Sequence, residues 1–174
     1  MRFSSKVLSV AFILGLAVLY GSYGSMGRDS DIHIYFRYGV IADDSYGRNV
    51  LDTHRGTYTK DMVVDKAVTV KLMLTDEELE TIYRKMVEID LFSFPELYRP
   101  EAKSEVTCVF TPASSYYYEV TYNWTVKKVM WSNAYYCGED QGTKDLMALN
   151  KVILSIVESK PEYQALPEPR EGYN

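Results

Sequence analysis

The stretch "SSYYYEVTYNWTVKKVMW", Ser114 to Trp131, places four tyrosines and two tryptophans in eighteen positions, and its period decides the fold. Tyr116, Tyr118, Val120 and Tyr122 fall on one side of an extended chain, Tyr117, Glu119 and Thr121 on the other. With Asn123-Trp124 read as a two-residue hairpin loop, Tyr122 pairs with Thr125, Val120 with Lys127, Tyr118 with Val129 and Tyr116 with Trp131. That register gathers Tyr116, Tyr118, Val129 and Trp131 into one cross-strand cluster. Tyrosine and tryptophan suit strands, so most of these rings read as scaffold. Trp124 is the exception, because a tip residue buries little and the turn demands a backbone that suits glycine.

Upstream, the same alternation recurs. Ile32, Ile34, Phe36, Tyr38 and Val40 share a face opposite His33, Tyr35 and Arg37, which predicts a half-buried strand over Asp31 to Val40. Asn49 to Val64 is less regular and reads as a strand bulged at Gly56. Val68, Val70, Leu72 and Leu74 alternate with Thr69, Lys71 and Met73. The period then changes from two to about 3.6. Leu79, Ile82, Tyr83, Met86 and Val87 form a helical stripe, opened by a Thr75/Glu78 capping box with Asp76, Glu77 and Glu78 at the positive end of the dipole. "LFSFPELY" is expected to tuck Leu91, Phe92 and Phe94 beneath this helix. Val106, Cys108 and Phe110 predict a further strand. Leu146, Leu149, Val152, Ile153, Ile156 and Val157 predict a second amphipathic helix ending at Lys160 before Pro161. The tail from 161 is proline-rich and reads as extended, with Tyr163 and Leu166 able to pack.

These elements define an α+β class: an antiparallel sheet of about six strands with two amphipathic helices packed on one face. The order strand, strand, strand, helix, given twice, raises a β-β-β-α duplication, although no residue-level repeat accompanies it.

Arg2 and Lys6 precede an uncharged run from Val7 to Tyr20 and then the small-residue stretch Gly21 to Ser25. This is the layout of a signal peptide, with cleavage after Gly24 as the first reading and an uncleaved N-terminal anchor as the second. The domain division is therefore 1–24 leader or anchor and 25–174 a single extracytoplasmic domain. Without Arg2 and Lys6 the balance is 17 basic against 24 acidic residues, a net charge near −7. Such a surface disfavours nucleic acid as a partner. Cys108 and Cys137 are the only cysteines; in an oxidising compartment they either form one disulfide or remain small buried side chains.

No phosphate-cradling glycine loop or dinucleotide fingerprint is present. Two histidines, His33 and His54, are the only side chains that titrate near neutrality unperturbed, and both read as exposed strand positions. Asp52 with His54 and a remote serine, or a carboxylate pair such as Asp43-Asp44 or Glu139-Asp140, would supply a hydrolase. Asp43, Asp44, Ser45, Asn49 and Asp52 offer oxygen ligands, but not at the spacing of a calcium loop, and two His with two scattered Cys argue against zinc. No metal or cofactor is expected. Asn123 to Thr125 is a glycosylation sequon, relevant only in a host that glycosylates. Lys127-Lys128 reads as a solvated pair.

"LDTHRGTYTKDMVVD", "LTDEELETIYRKMVEIDLFSFPE", "YYYEVTYNWTVKKVMWSN" and "SKPEYQALPEPREGY" together resemble an uncharacterised family of small exported proteins from Gram-positive, spore-forming bacteria. The resemblance spans Tyr38 to Tyr173. In that family the second hairpin tip reads Asn-Gly, from which Trp124 departs. The resemblance implies an extracytoplasmic setting and one domain, and it carries no activity and no catalytic residue.

The expectation is an exported, non-enzymatic domain that binds an envelope protein or cell-wall component at the cell surface. It meets the membrane only through an uncleaved leader. The side chains expected to bind are Tyr117 on the outer sheet face, Trp124 at the tip, and Tyr135 and Tyr136 in the following loop. A small secreted hydrolase is the alternative.

Overall fold

A computed structural model of the chain describes residues 32–40, 47–100, 112–135 and 140–170. The elements are β1 (His33–Val40), β2 (Asn49–Asp52), β3 (Thr57–Lys60), β4 (Val68–Lys71), α1 (Asp76–Glu88), β5 (Ser114–Tyr122), β6 (Thr125–Ser132), α2 (Gln141–Ser159) and α3 (Pro161–Gln164). The six strands form one antiparallel sheet in the order β4-β3-β2-β1-β5-β6. The fold is α+β, and the strand expected over 106–110 lies outside the described residues.

The β5–β6 hairpin has the register its alternation predicts: Tyr122 opposite Thr125, Val120 opposite Lys127, Tyr118 opposite Val129 and Tyr116 opposite Trp131. Its turn places Asn123 at φ 45° and Trp124 at φ 66°, the paired left-handed geometry that lets a two-residue loop follow the twist of the strands. Tyr116 stacks on Trp131 with ring centroids 4.5 Å apart, and Phe36 stacks on Tyr118 at 5.0 Å.

One sheet face is covered. Ile34, Phe36, Leu51, Tyr58, Tyr118, Val120, Val129 and Trp131 point to it and are buried in one cluster with Ile82 and Met86 of α1 and Leu146, Leu149, Ile153 and Val157 of α2. Each of these aliphatic side chains contributes on the order of 1.5–3 kcal/mol by leaving water. α1 begins as its sequence dictates: the Thr75 hydroxyl accepts from Glu78 N–H while the Glu78 carboxylate accepts from Thr75 N–H at 2.8 Å. Asp140 caps α2 by accepting from Thr143 N–H at 2.6 Å, and the Tyr98 hydroxyl donates to the same carboxylate.

Five details correct the sequence reading. Asn49 to Val64 is a hairpin, with Thr53 to Gly56 as its turn and Gly56 at φ 62°, so the first half contributes four strands and not three. His54 accordingly sits in a turn, not on a strand. Val87 is 44% exposed, because the stripe facing the sheet is carried by Ile82 and Met86. Phe92 is also exposed and lies edge-on to Tyr83, while Leu91 is buried and Phe94 packs on the core. The tail is not extended at its start: Pro161 occupies the first turn of α3, where its missing N–H costs nothing.

From α3 onward the tail folds back over the sheet. Leu166 is buried, Tyr163 packs against Tyr58 at 5.3 Å, Glu168 meets Lys60 at 3.1 Å, and Arg170 pairs with Asp65. No helix among the described residues is long and apolar enough to cross a membrane.

Candidate functional site on the open sheet face

Because α1 and α2 cover one face, the alternate side chains of each strand are left on the other. The strand register arranges that set in rows. Asp52, Tyr35, Glu119 and Lys128 are successive cross-strand neighbours from β2 to β6. Val50, Arg37, Tyr117 and Met130 form the next row, and His33, Thr121 and Val126 a third. With strands about 4.8 Å apart, a four-strand row spans about 14 Å.

Two shallow depressions lie along these rows. One, of about 470 Å³, is lined by His33, Tyr35, Asp52, His54, Arg55 and Glu119 among others. The second, of about 340 Å³, is lined by Tyr35, Arg37, Tyr117, Glu119 and Met130. Tyr35 and Glu119 line both, so the two adjoin along this face as the two halves of a shallow groove open to solvent.

Side chains within the groove hold one another in place. The rings of Tyr35 and Tyr117 meet edge to face at 6.2 Å. The Tyr117 hydroxyl donates to Glu119 Oε2 at 2.7 Å, and Lys128 Nζ lies 3.5 Å from the same oxygen. Burial and then the Glu119 carboxylate push the Tyr117 phenol above its ordinary pKa. Arg37 Nε donates to Gly47 O at 2.6 Å. That contact depends on glycine, since a Cβ on residue 47 would fall 2.0 Å from the backbone of Gly39.

At the other end the imidazoles of His33 and His54 meet edge to face with centroids 4.6 Å apart. Asp52 Oδ1 accepts from Arg55 N–H at 2.9 Å and its Oδ2 lies 3.6 Å from Arg55 Nε, which commits both carboxylate oxygens to the turn. Among the described residues no group of three or more His, Cys, Asp or Glu could hold a metal ion.

The residues expected to bind do not converge. Tyr117 is in the groove, while Trp124 is at the hairpin tip, 94% exposed. Five residues of strand, about 17 Å, separate Tyr117 from Tyr122 at the base of that tip. Asn133 to Tyr135 form a single 3₁₀ turn; the Tyr135 side chain, Tyr136, Cys108, Cys137, Asp43, Asp44 and Glu139 lie outside the described residues. Tyr35, Arg37, Glu119 and Met130 complete the groove, and nothing in the local sequence singles them out. Their outward direction follows from alternation, but their proximity depends on β1 pairing with β5, which the local pattern does not encode.

No protein-family model matches the chain, and no curated protein matches it either.

Proposed function

We propose that the chain is a non-enzymatic binding module of the bacterial cell surface, which recognises an envelope protein or cell-wall component through the sheet face opposite α1 and α2. The observation that carries this reading is the groove in which Tyr35, Arg37, Tyr117 and Met130 lie together on a face that no helix among the described residues covers. Tyrosine, arginine and methionine are the side chains enriched at recognition surfaces, and Glu119, Lys128 and Thr121 supply a polar rim. The apolar run Val7 to Tyr20 supports export, and the net charge of −5, near −7 without residues 1–24, supports a partner other than nucleic acid. The test is co-sedimentation with a Gram-positive envelope fraction. The parent chain is retained, and Tyr35→Ala combined with Tyr117→Ala weakens retention about tenfold or more. Equal retention of the two proteins counts against the reading.

A secreted hydrolase is the second reading, favoured by Asp52, His33 and His54 sharing one depression. It has less support, because both Asp52 oxygens face Arg55 and the depression is open to water. Turnover of ester, peptide or glycoside substrates that disappears in His54→Ala would support it.

A further inference from the structure

Trp124 gives the fold no burial and strains its own turn. Its ring is 94% exposed, and its backbone sits at φ 66°, a left-handed conformation that disfavours side chains. Glycine at the same place would form the same turn without that strain. A side chain that contributes nothing to the folded core and strains the turn holding it has its use outside the fold.

Its surroundings identify the partner. Val126, next on the exposed side of β6, is 52% exposed. Tyr122 at the base of the turn stacks on Tyr83 of α1 with centroids 4.8 Å apart, and Phe92 lies edge-on to Tyr83 at 6.4 Å. The turn of β2–β3 lies at the same end of the sheet, since Tyr35 pairs with Asp52 and His33 with Thr121. There Met73, 64% exposed, packs against Gly56. This end therefore carries Trp, Tyr, Phe and Met, while Arg55 and Lys128 are paired with Asp52 and Glu119. Rings with one apolar and one polar edge fit a lipid headgroup interface.

The chain path points the same way. β1 starts at His33, opposite Thr121, three residues before Trp124. The chain thus joins the domain at the end that carries the tip. Ser25 to Ile32, eight residues, connect it to the leader boundary at Gly24, a tether of at most about 28 Å when extended. Where the apolar run stays in a bilayer, that tether holds the tip close to the same surface and raises its effective concentration there.

We infer that, in the form that keeps residues 1–24 as an anchor, the β5–β6 tip is a membrane-contacting element, which inserts Trp124 into the headgroup region of the bilayer that holds the anchor. This surface is separate from the groove centred on Tyr35 and Tyr117, so the groove's partner and the tip's partner are tested independently.

The two tryptophans make the test direct, because Trp131 is buried and Trp124 is not. The full chain is reconstituted in phosphatidylethanolamine and phosphatidylglycerol vesicles, with and without brominated acyl chains, beside a Trp124→Phe variant whose emission reports Trp131 alone. The difference spectrum between the two is the Trp124 signal. It is expected to shift to the blue in vesicles, to lose most of its intensity in brominated lipid and to become protected from acrylamide. A Trp124 signal that stays red, unquenched by lipid and open to acrylamide overturns the inference, whether the chain remains on the vesicle by its leader or leaves it. Shielding that arises only on addition of envelope protein overturns it in favour of a protein partner.

Discussion

The Tyr118 hydroxyl donates to Asn150 Oδ1, joining the centre of β5 to α2 through the middle of the core. Both side chains are buried, Tyr118 completely, and the same hydroxyl also lies 3.4 Å from Leu146 O. This polar contact fixes the rotation of α2 over the sheet, so that Leu146, Leu149, Ile153 and Val157 all face inward.

Asn150→Ala removes the main acceptor and leaves the phenol within an apolar cluster. The expected loss is about 1–3 kcal/mol, read from the denaturant midpoint. A change within a few tenths of a kcal/mol would mean that Leu146 O alone suffices for the hydroxyl.

Alkaline pH provides a second test. Burial, followed for Tyr38 by its neighbour Tyr58, pushes the phenols of Tyr38, Tyr58 and Tyr118 above their ordinary pKa, and the Tyr38 and Tyr58 hydroxyls are 2.6 Å apart. A folded-state pKa above the unfolded value gives stability that is full below the unfolded value, near 10. That stability is lost as pH rises beyond it, because the unfolded chain then releases protons the folded chain retains. Stability should hold up to about pH 10 and fall steeply above it, with phenolate absorbance from these residues appearing only as the circular dichroism signal collapses. Phenolate formation complete before unfolding would contradict the burial.

At the hairpin tip, Trp124→Gly should stabilise the domain by about 0.5–1 kcal/mol, since relief of a left-handed side chain exceeds the added freedom of glycine in the unfolded chain. For a chain of this size the melting temperature should rise by about 2–4 °C per kcal/mol. A lower melting temperature would show that Trp124 supports the fold after all.

Leu166 tests the returning tail. It is buried beside a core cluster, and Leu166→Ala should cost about 2–3 kcal/mol. Thr75→Ala, which removes one half of the capping box at α1, should cost about 1 kcal/mol. Comparable small effects from both would indicate a tail that is not packed on the sheet.

The elements legible in the sequence are those whose own side chains carry the period. Tyr116 to Trp131 shows two-residue alternation on both arms, so its register follows once Asn123-Trp124 is taken as the loop. Thr75 and Glu78 specify a helix start by hydrogen-bond chemistry alone. The β2–β3 hairpin is harder to see because each arm has four residues, too few for alternation to emerge, and its turn Thr53-His54-Arg55-Gly56 lacks proline or an Asn-Gly pair. α3 is hidden by a proline that favours a helix start as readily as an extended tail. Tyr117 was identifiable as outward-facing, whereas Tyr35, Arg37 and Met130 became its neighbours only through the long-range order β1-β5-β6. Local pattern specifies which way a residue points, and strand order specifies whom it meets.

Recognition through the sheet face opposite α1 and α2 is tested most directly by hydroxyl-radical footprinting of the chain bound to a Gram-positive envelope fraction. Tyr35, Tyr117 and Met130 should lose reactivity on binding, while Met147, exposed on the outside of α2, should keep it. Protection of Met147 with Tyr35, Tyr117 and Met130 unchanged would contradict the claim.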